Sequence, residues 1–252
     1  MSTGICYIVG AGPGDPGLIT VKGLACLRRA EVVFHDHLVS AEILAQIPPA
    51  AERIYVGKPH SERTIPQEEL CRLLCEAVRA GRIVVRLKGG DPFVLGRGGE
   101  EALALHEAGL PFEIVPGVTS AIAAAAYAGI PVTHRLLSPA VTLVTGHETG
   151  DKEGPQVDWR ALGRQHHTLC IYMGMKHLDY ICAELIAGGR APSEPAAIVQ
   201  WATLPCQRQV IGTLEDLPAL AERASIGPPA IIIVGPVVSL SESCQWLLRT
   251  SP

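Results

Sequence analysis

Aromatic residues are scarce: Phe, Tyr and Trp together make up only 4% of the 252 residues. Proteins that grip single strands of nucleic acid need stacking platforms, and this chain has little to build them from. It has no tract of Lys or Arg either, and its net charge is −4, so the electrostatic footprint of a nucleic-acid-binding protein is missing. None of the eight cysteines forms a CxxC pair, which removes the usual zinc and dithiol spacings. Long apolar runs are lacking as well. The most apolar stretch, 118–132, is Ala-rich, reaches a proline at 131 and is too short to span a bilayer. The opening MSTGICYIVG carries neither a basic n-region nor a cleavage site. These absences lead to the expectation of a soluble, cytoplasmic protein with buried free thiols, no nucleic-acid partner and no membrane partner.

What is present is aliphatic: hydrophobic residues reach 48%. Short β-branched runs alternate with helical patterns through the first half. Strands are expected at 5–10, 31–36, 53–57, 83–87 and 112–116, and helices at 20–30, 40–47, 66–81, 99–109 and 118–129. Continuous apolar strands separated by helices predict a mostly parallel sheet covered on both faces. The pattern breaks at IPVTHRLLSPA, 130–140, and restarts with VTLVTG. The last part is strand-rich, with PAAIVQWAT, QRQVIGTL and AIIIVGPVVSL around a single helix at 216–225, so hairpins and a mixed sheet are expected. The fold class is α/β in two domains, 1–135 and 136–252. Ligands in such folds gather at strand C-termini and in crevices between domains.

Two glycine-rich loops follow strands. GAGPGDPG has G-x-G-x-x-G at Gly12, Gly14 and Gly17, with Asp36 at the end of the second strand, and so imitates a dinucleotide fingerprint. That fingerprint works by aiming backbone N–H groups at a pyrophosphate, and Pro13 and Pro16 have none to offer. No Lys-Ser/Thr follows, so a P-loop is excluded too. Asp15 and Thr20 are both candidates to cap what comes next. In LKGGDPFVLGRGGEE, Gly89 and Gly90 permit close approach to the backbone. The carboxylate beside these glycines, Asp91, suits a ligand bearing amine, hydroxyl or sulfonium groups and opposes a phosphate. Arg97 and Glu100 lie one helical turn apart, as either a surface ion pair or part of a pocket rim.

With these loops read, the whole chain from about residue 5 to 240 resembles the uroporphyrinogen-III C-methyltransferases of the tetrapyrrole methylase superfamily. The resemblance rests on GAGPGDPGLIT, HDHLVS, YVGK, VRLKGGDPFVLGRGGEE, VPGVTSAIAAAAYAGIPVTHR and VTGH, followed by YMG and PAIIIVG. It implies S-adenosylmethionine bound between two α/β domains, a homodimer, and methylation of uroporphyrinogen III at C2 and C7 to precorrin-2 by way of precorrin-1. It implies cofactor contacts at Pro13, Gly89, Gly90, Asp91, Val94, Thr119, Ser120, Met173 and Ala202. It assigns acid/base work to Asp36 and Lys58, and the tetrapyrrole to Arg97, Glu100 and Arg135. A stand-alone enzyme is expected, without the dehydrogenase and chelatase region fused to some relatives.

The roles are chemically coherent. Methyl transfer from a sulfonium is an in-line displacement that needs alignment and a dry site, and the ring must give up a proton as charge moves. Arginines suit a substrate rich in carboxylates. The chain departs from the family pattern at His35 and His37 around Asp36, at Pro59 after Lys58, and at Leu136 after Arg135. His35 and His37 share a strand face, yet no third ligand accompanies them and the reaction requires no metal, so none is expected.

Overall fold

β1 (Ile5–Gly10) lies between β4 (Ile83–Lys88) and β5 (Phe112–Val115), and β2 (Val32–His35) joins β4 to β3 (Glu52–Tyr55). All four pairings are parallel. The computed structural model describes residues 4–57, 65–147 and 157–247. It divides into two compact units, Met1–Ser120 and Ala121–Pro252, and the parallel sheet belongs to the first.

The two-residue period of the strands sorts their side chains onto two cores. On one face Val9, Val33, Val85 and Leu87 pack with Leu27 of α1 (Val21–Leu27) and Ile43 of α2 (Ala41–Leu44). On the other, Cys6, Ile8, Phe34 and Val84 pack with Leu70, Leu74 and Val78 of α3 (Gln67–Arg79) and with Ala102 and Leu105 of α4 (Gly98–Glu107). Asp15 caps the 3-10 turn Pro16–Leu18 by accepting the Gly17 N–H, and Thr20 caps α1 through Gly23. Both candidate caps are used, each for its own helix. Ser40 holds the N-cap position of α2, but its side chain makes no capping hydrogen bond.

The second unit holds β6 (Val141–Thr145), β7 (Thr168–Tyr172), β8 (Pro195–Gln200), β9 (Arg208–Thr213) and β10 (Ala230–Val234), in the order β6-β7-β10-β8-β9. β6 and β7 are parallel and the other three pairings antiparallel, giving the mixed sheet expected from the strand-rich ending. α6 (Trp159–Gly163), α7 (Leu178–Ala187) and α8 (Leu217–Arg223) cover one face. The alanines of α5 (Ser120–Tyr127) cover the other, against Cys170, Ala197, Val199, Ile231 and Ile233.

Three details differ from the sequence reading. The division falls after Ser120, because the small side chains of α5 let it lie close on the second sheet. α6 was not anticipated; five residues long and capped by Asp158, it is too short for a periodicity to register. The tail of AIIIVGPVVSL is a 3-10 turn, Pro236–Leu240, because Pro236 has no N–H for a strand ladder.

Candidate active site

Because the strands of the first sheet run the same way, the loops after β1, β2, β4 and β5 open on one edge. Three of them interlock there. Gly12 and Gly90 form a bridge, the Gly12 N–H donating to Gly90 O at 3.2 Å and the Gly90 N–H to Gly12 O at 2.7 Å. Asp91 extends the join: Oδ2 accepts the Gly117 N–H at 3.0 Å, and Oδ1 accepts the Phe93 N–H at 2.8 Å. A Cβ on Gly117 would stand 2.3 Å from Gly90 O, and one on Gly10 would stand 2.6 Å from Gly117 N. These glycines exist so that three backbones can touch.

The pair at 89 and 90 splits in role. Gly90 has a left-handed φ of +69° that favours glycine. Gly89 does not, and the space its Cβ would take belongs to Leu38, 2.8 Å away. In the first loop the amides of Ala11, Gly12 and Gly17 already donate to Lys88 O, Gly90 O and Asp15 Oδ1. With two prolines in the same loop, little is left to cradle a pyrophosphate. Asp36 and Asp91 put two carboxylates on this edge instead, and their negative charge suits a cationic sulfonium better than a phosphate.

Of the residues singled out in the sequence, Pro13, Gly89, Gly90, Asp91, Val94, Thr119, Ser120 and Asp36 all lie on loops at this edge or at the start of α5. Asp36 shapes its own turn, Oδ1 accepting the Leu38 N–H at 3.1 Å. Arg97 takes a left-handed φ of +60° at the N-cap of α4. It holds Glu100 through two bonds of 2.8 Å, with both side chains more than half exposed. The pair lowers the Glu100 carboxyl below its usual range, chiefly through the hydrogen bonds from Arg97. Lys58 and Pro59 lie outside the described residues.

In the second unit, Arg135 is exposed in a turn closed by the His134–Ser138 bridge. Met173, just after β7, is exposed and has a left-handed φ of +54°; Ala202 follows β8 between Trp201 at +49° and Thr203 at +72°. Non-glycine residues held in this region cost of order 1–3 kcal/mol and cluster at functional sites. Among the described residues no three of His, Cys, Asp and Glu gather as metal ligands.

Sequence reasoning missed a charged cluster beneath the edge. Arg86 and Lys88 point from β4 toward α4, where Glu101 is fully buried. Glu101 Oε1 accepts from Arg86 Nε at 2.9 Å and from Lys88 Nζ at 3.0 Å. Burial, followed by the Arg86 charge, pushes the Lys88 ammonium below its usual range. The available signal was the run VRLK itself: two cations at alternate positions of an otherwise apolar, doubly covered strand must be paired inside.

The all-parallel sheet followed by a mixed sheet is shared with solved tetrapyrrole methyltransferases. The model of the tetrapyrrole (corrin/porphyrin) methylases matches residues 6–218, and the chain belongs to that family. It is 48% identical over 246 residues to uroporphyrinogen-III C-methyltransferase of Bacillus subtilis, covering 98% of this chain and 51% of that protein. It is also 48% identical over 248 residues to siroheme synthase of Chromobacterium violaceum, covering 98% and 52%. The chain thus spans about half the length of the curated relatives it matches. Among solved structures, uroporphyrin-III C-methyltransferase of Thermus thermophilus, complexed with S-adenosyl homocysteine, aligns over 92% of each chain at 42% identity, TM-score 0.78. Cobalt-precorrin-4 methyltransferase aligns over 93% of this chain and 95% of its own at 33% identity, TM-score 0.83.

Proposed function

We propose that this chain is a uroporphyrinogen-III C-methyltransferase, methylating C2 and C7 of uroporphyrinogen III to precorrin-2 by way of precorrin-1. The observation that carries the reading is the interlocked edge of Gly12, Gly90, Asp91 and Gly117. It joins the long run KGGDPFVLGRGGEE to the loops after β1 and β5 in a member of the tetrapyrrole methylases. The names of the Bacillus and Thermus proteins support the substrate, and the Thermus complex supports S-adenosylmethionine as donor.

When bound, S-adenosylmethionine supplies an electrophilic methyl group for in-line displacement. The reading assigns Pro13, Gly89, Gly90, Asp91, Val94, Thr119, Ser120, Met173 and Ala202 to holding it. Alignment and exclusion of water are the main catalytic contributions. Asp36, a carboxylate at a strand end, accepts the proton the ring system releases, and Lys58 serves as donor or as partner for a substrate carboxylate. Arg97 and Arg135 take carboxylates of the tetrapyrrole. Arg97 already spends its fork on Glu100, so a substrate carboxylate must exchange with Glu100 or share the arginine with it. The same reading includes a cytoplasmic homodimer and no metal requirement.

The test is anaerobic incubation of the purified protein with uroporphyrinogen III and methyl-labelled S-adenosylmethionine, with products resolved by mass. Two added methyls are expected. Turnover of precorrin-4 with none of uroporphyrinogen III would transfer the reading to a later ring methylation. Bound S-adenosylhomocysteine with no methylated product from either would end the catalytic reading.

A further inference from the structure

The buried cluster under the sheet edge is unbalanced by its own members. Arg86 and Lys88, 5% and 4% exposed, share one carboxylate oxygen of Glu101. Gln67 Nε2 approaches the same oxygen at 3.4 Å, while Glu101 Oε2 has no hydrogen-bond partner among the described residues. Two cations against one anion leave a positive charge inside a hydrophobic core, where uncompensated charge is costly. The second anion is Asp36, whose Oδ2 stands 3.8 Å from an Arg86 Nη atom at the rim of the cluster. Arg86 also donates through Nη1 to Phe34 O at 3.4 Å and Leu87 O at 2.9 Å. It therefore grips the end of β2 two residues before Asp36, as well as the end of its own strand. Lys88 ties the same Glu101 to the root of the 89–97 loop. Replacing a buried ion cluster by apolar side chains of similar volume is often neutral or stabilising, so stability alone does not account for this one.

We propose that Arg86 is a positioning residue for methyl transfer. It holds the Asp36 carboxylate at the sheet edge, and Glu101 registers Arg86 against the loop rooted at Lys88. This rests on the reading in which Asp36 accepts the ring proton. Arg86 acts through Asp36 and does not itself touch the substrate.

A double-variant cycle on the full chain tests it, with kcat and KM measured anaerobically on uroporphyrinogen III and S-adenosylmethionine. Arg86→Lys keeps a cation but is too short and too simple a donor to serve Glu101, Phe34 O and Asp36 together. It is expected to lower kcat by about 10- to 100-fold, the cost of a misplacement of roughly 1 Å, with S-adenosylhomocysteine affinity unchanged. In an Asp36→Asn background the same change is expected to cost nothing further, since residues acting as one unit are not additive. Equal losses from Arg86→Lys in both backgrounds would overturn the positioning role and leave Asp36 in place. Full activity of Asp36→Asn alone would instead overturn the proton-acceptor reading and this inference with it. Should Arg86→Lys fail to fold, the triple variant Arg86→Met/Lys88→Met/Glu101→Leu replaces the cluster with apolar volume. It is expected to fold, to bind S-adenosylhomocysteine and to lose the same kcat; undiminished kcat there would sink the proposal.

Discussion

Asp91 accepts the amide proton of Gly117 across 3.0 Å, and that bond fixes the loop after β4 to the loop after β5. Its other oxygen holds Phe93 at 2.8 Å. One side chain thus shapes its own loop and anchors the next. Asp91→Ala strands both amides, and each lost partner is worth about 1–3 kcal/mol if the amide stays dry. We expect a clear drop in the urea midpoint together with loss of S-adenosylhomocysteine binding by calorimetry. Asp91→Asn can accept only one of the two bonds and should fall between. An Asp91→Ala protein with unchanged midpoint and affinity would show that the bond to Gly117 organises nothing.

Two glycines that look alike in the sequence should respond in opposite directions. A Cβ on Gly117 would meet Gly90 O at 2.3 Å and Gly10 Cα at 2.8 Å, all rigid backbone, so Gly117→Ala must push the interlocked loops apart. Gly99, in the first turn of α4, has nothing among the described residues within 4 Å of its would-be Cβ. Gly99→Ala should raise stability by roughly 0.4–1 kcal/mol by restricting the unfolded chain. Thermal melts of the two variants beside the parent decide the matter, and destabilisation by Gly99→Ala would contradict it.

Much of this is legible in the sequence. The βα alternation of the first half and the strand-rich ending followed from periodicity, because each strand's side chains feed two cores or one. The two prolines in GAGPGDPG were enough to argue against a pyrophosphate, and the amides of Ala11 and Gly12 prove to be engaged by Lys88 and Gly90. What sequence could not reveal was pairing across distance. Glu101 reads as one more acid in a helix's first turn, and only the fold turns it inward onto Arg86 and Lys88. Gly89 reads as ligand access, and only the fold shows that its missing Cβ also makes room for Leu38. α6 escaped because a single short turn held by one cap carries no period.

A pH effect should arise in the second unit from His167. Its Nε2 lies 2.5 Å from Thr142 Oγ1, and burial first, then the Arg190 charge, lowers its pKa below the usual 6.5. The folded state therefore resists the proton that the unfolded chain accepts. Stability from this group is complete above the unfolded value of about 6.5 and is lost as pH falls through the depressed folded value. His167→Gln keeps a hydrogen-bonding partner for Thr142 without a titrating ring. Melting temperatures from pH 7.5 down to 5 should fall more steeply for the parent than for the variant; parallel curves would count against the assignment.

The last turn of a helix leaves carbonyls without partners, and α5 finds them at a distance in sequence. Trp246 Nε1 donates to Ala126 O at 2.9 Å, Gln207 Nε2 to Tyr127 O at 3.1 Å, and Ser241 Oγ to Ala128 O at 2.8 Å. The three contributions should differ because their surroundings do. Ser241 is buried, so Ser241→Ala leaves a carbonyl dry and should cost about 1–3 kcal/mol. Trp246 is more than half exposed; water can replace its bond, and what remains is its edge-on contact with Tyr127 at 5.1 Å. Trp246→Ala should therefore cost less than Ser241→Ala. Gln207 carries a second duty, since its Oε1 accepts the Thr203 N–H at 2.8 Å and so ties α5 to the strained turn that contains Ala202. If that turn serves the cofactor, Gln207→Ala should weaken S-adenosylhomocysteine binding by more than its melting temperature would suggest. Ser241→Ala should do the reverse. Calorimetric affinities and melts on the three variants separate the cases, and a Gln207→Ala protein with parental affinity would detach the 201–203 turn from the binding role.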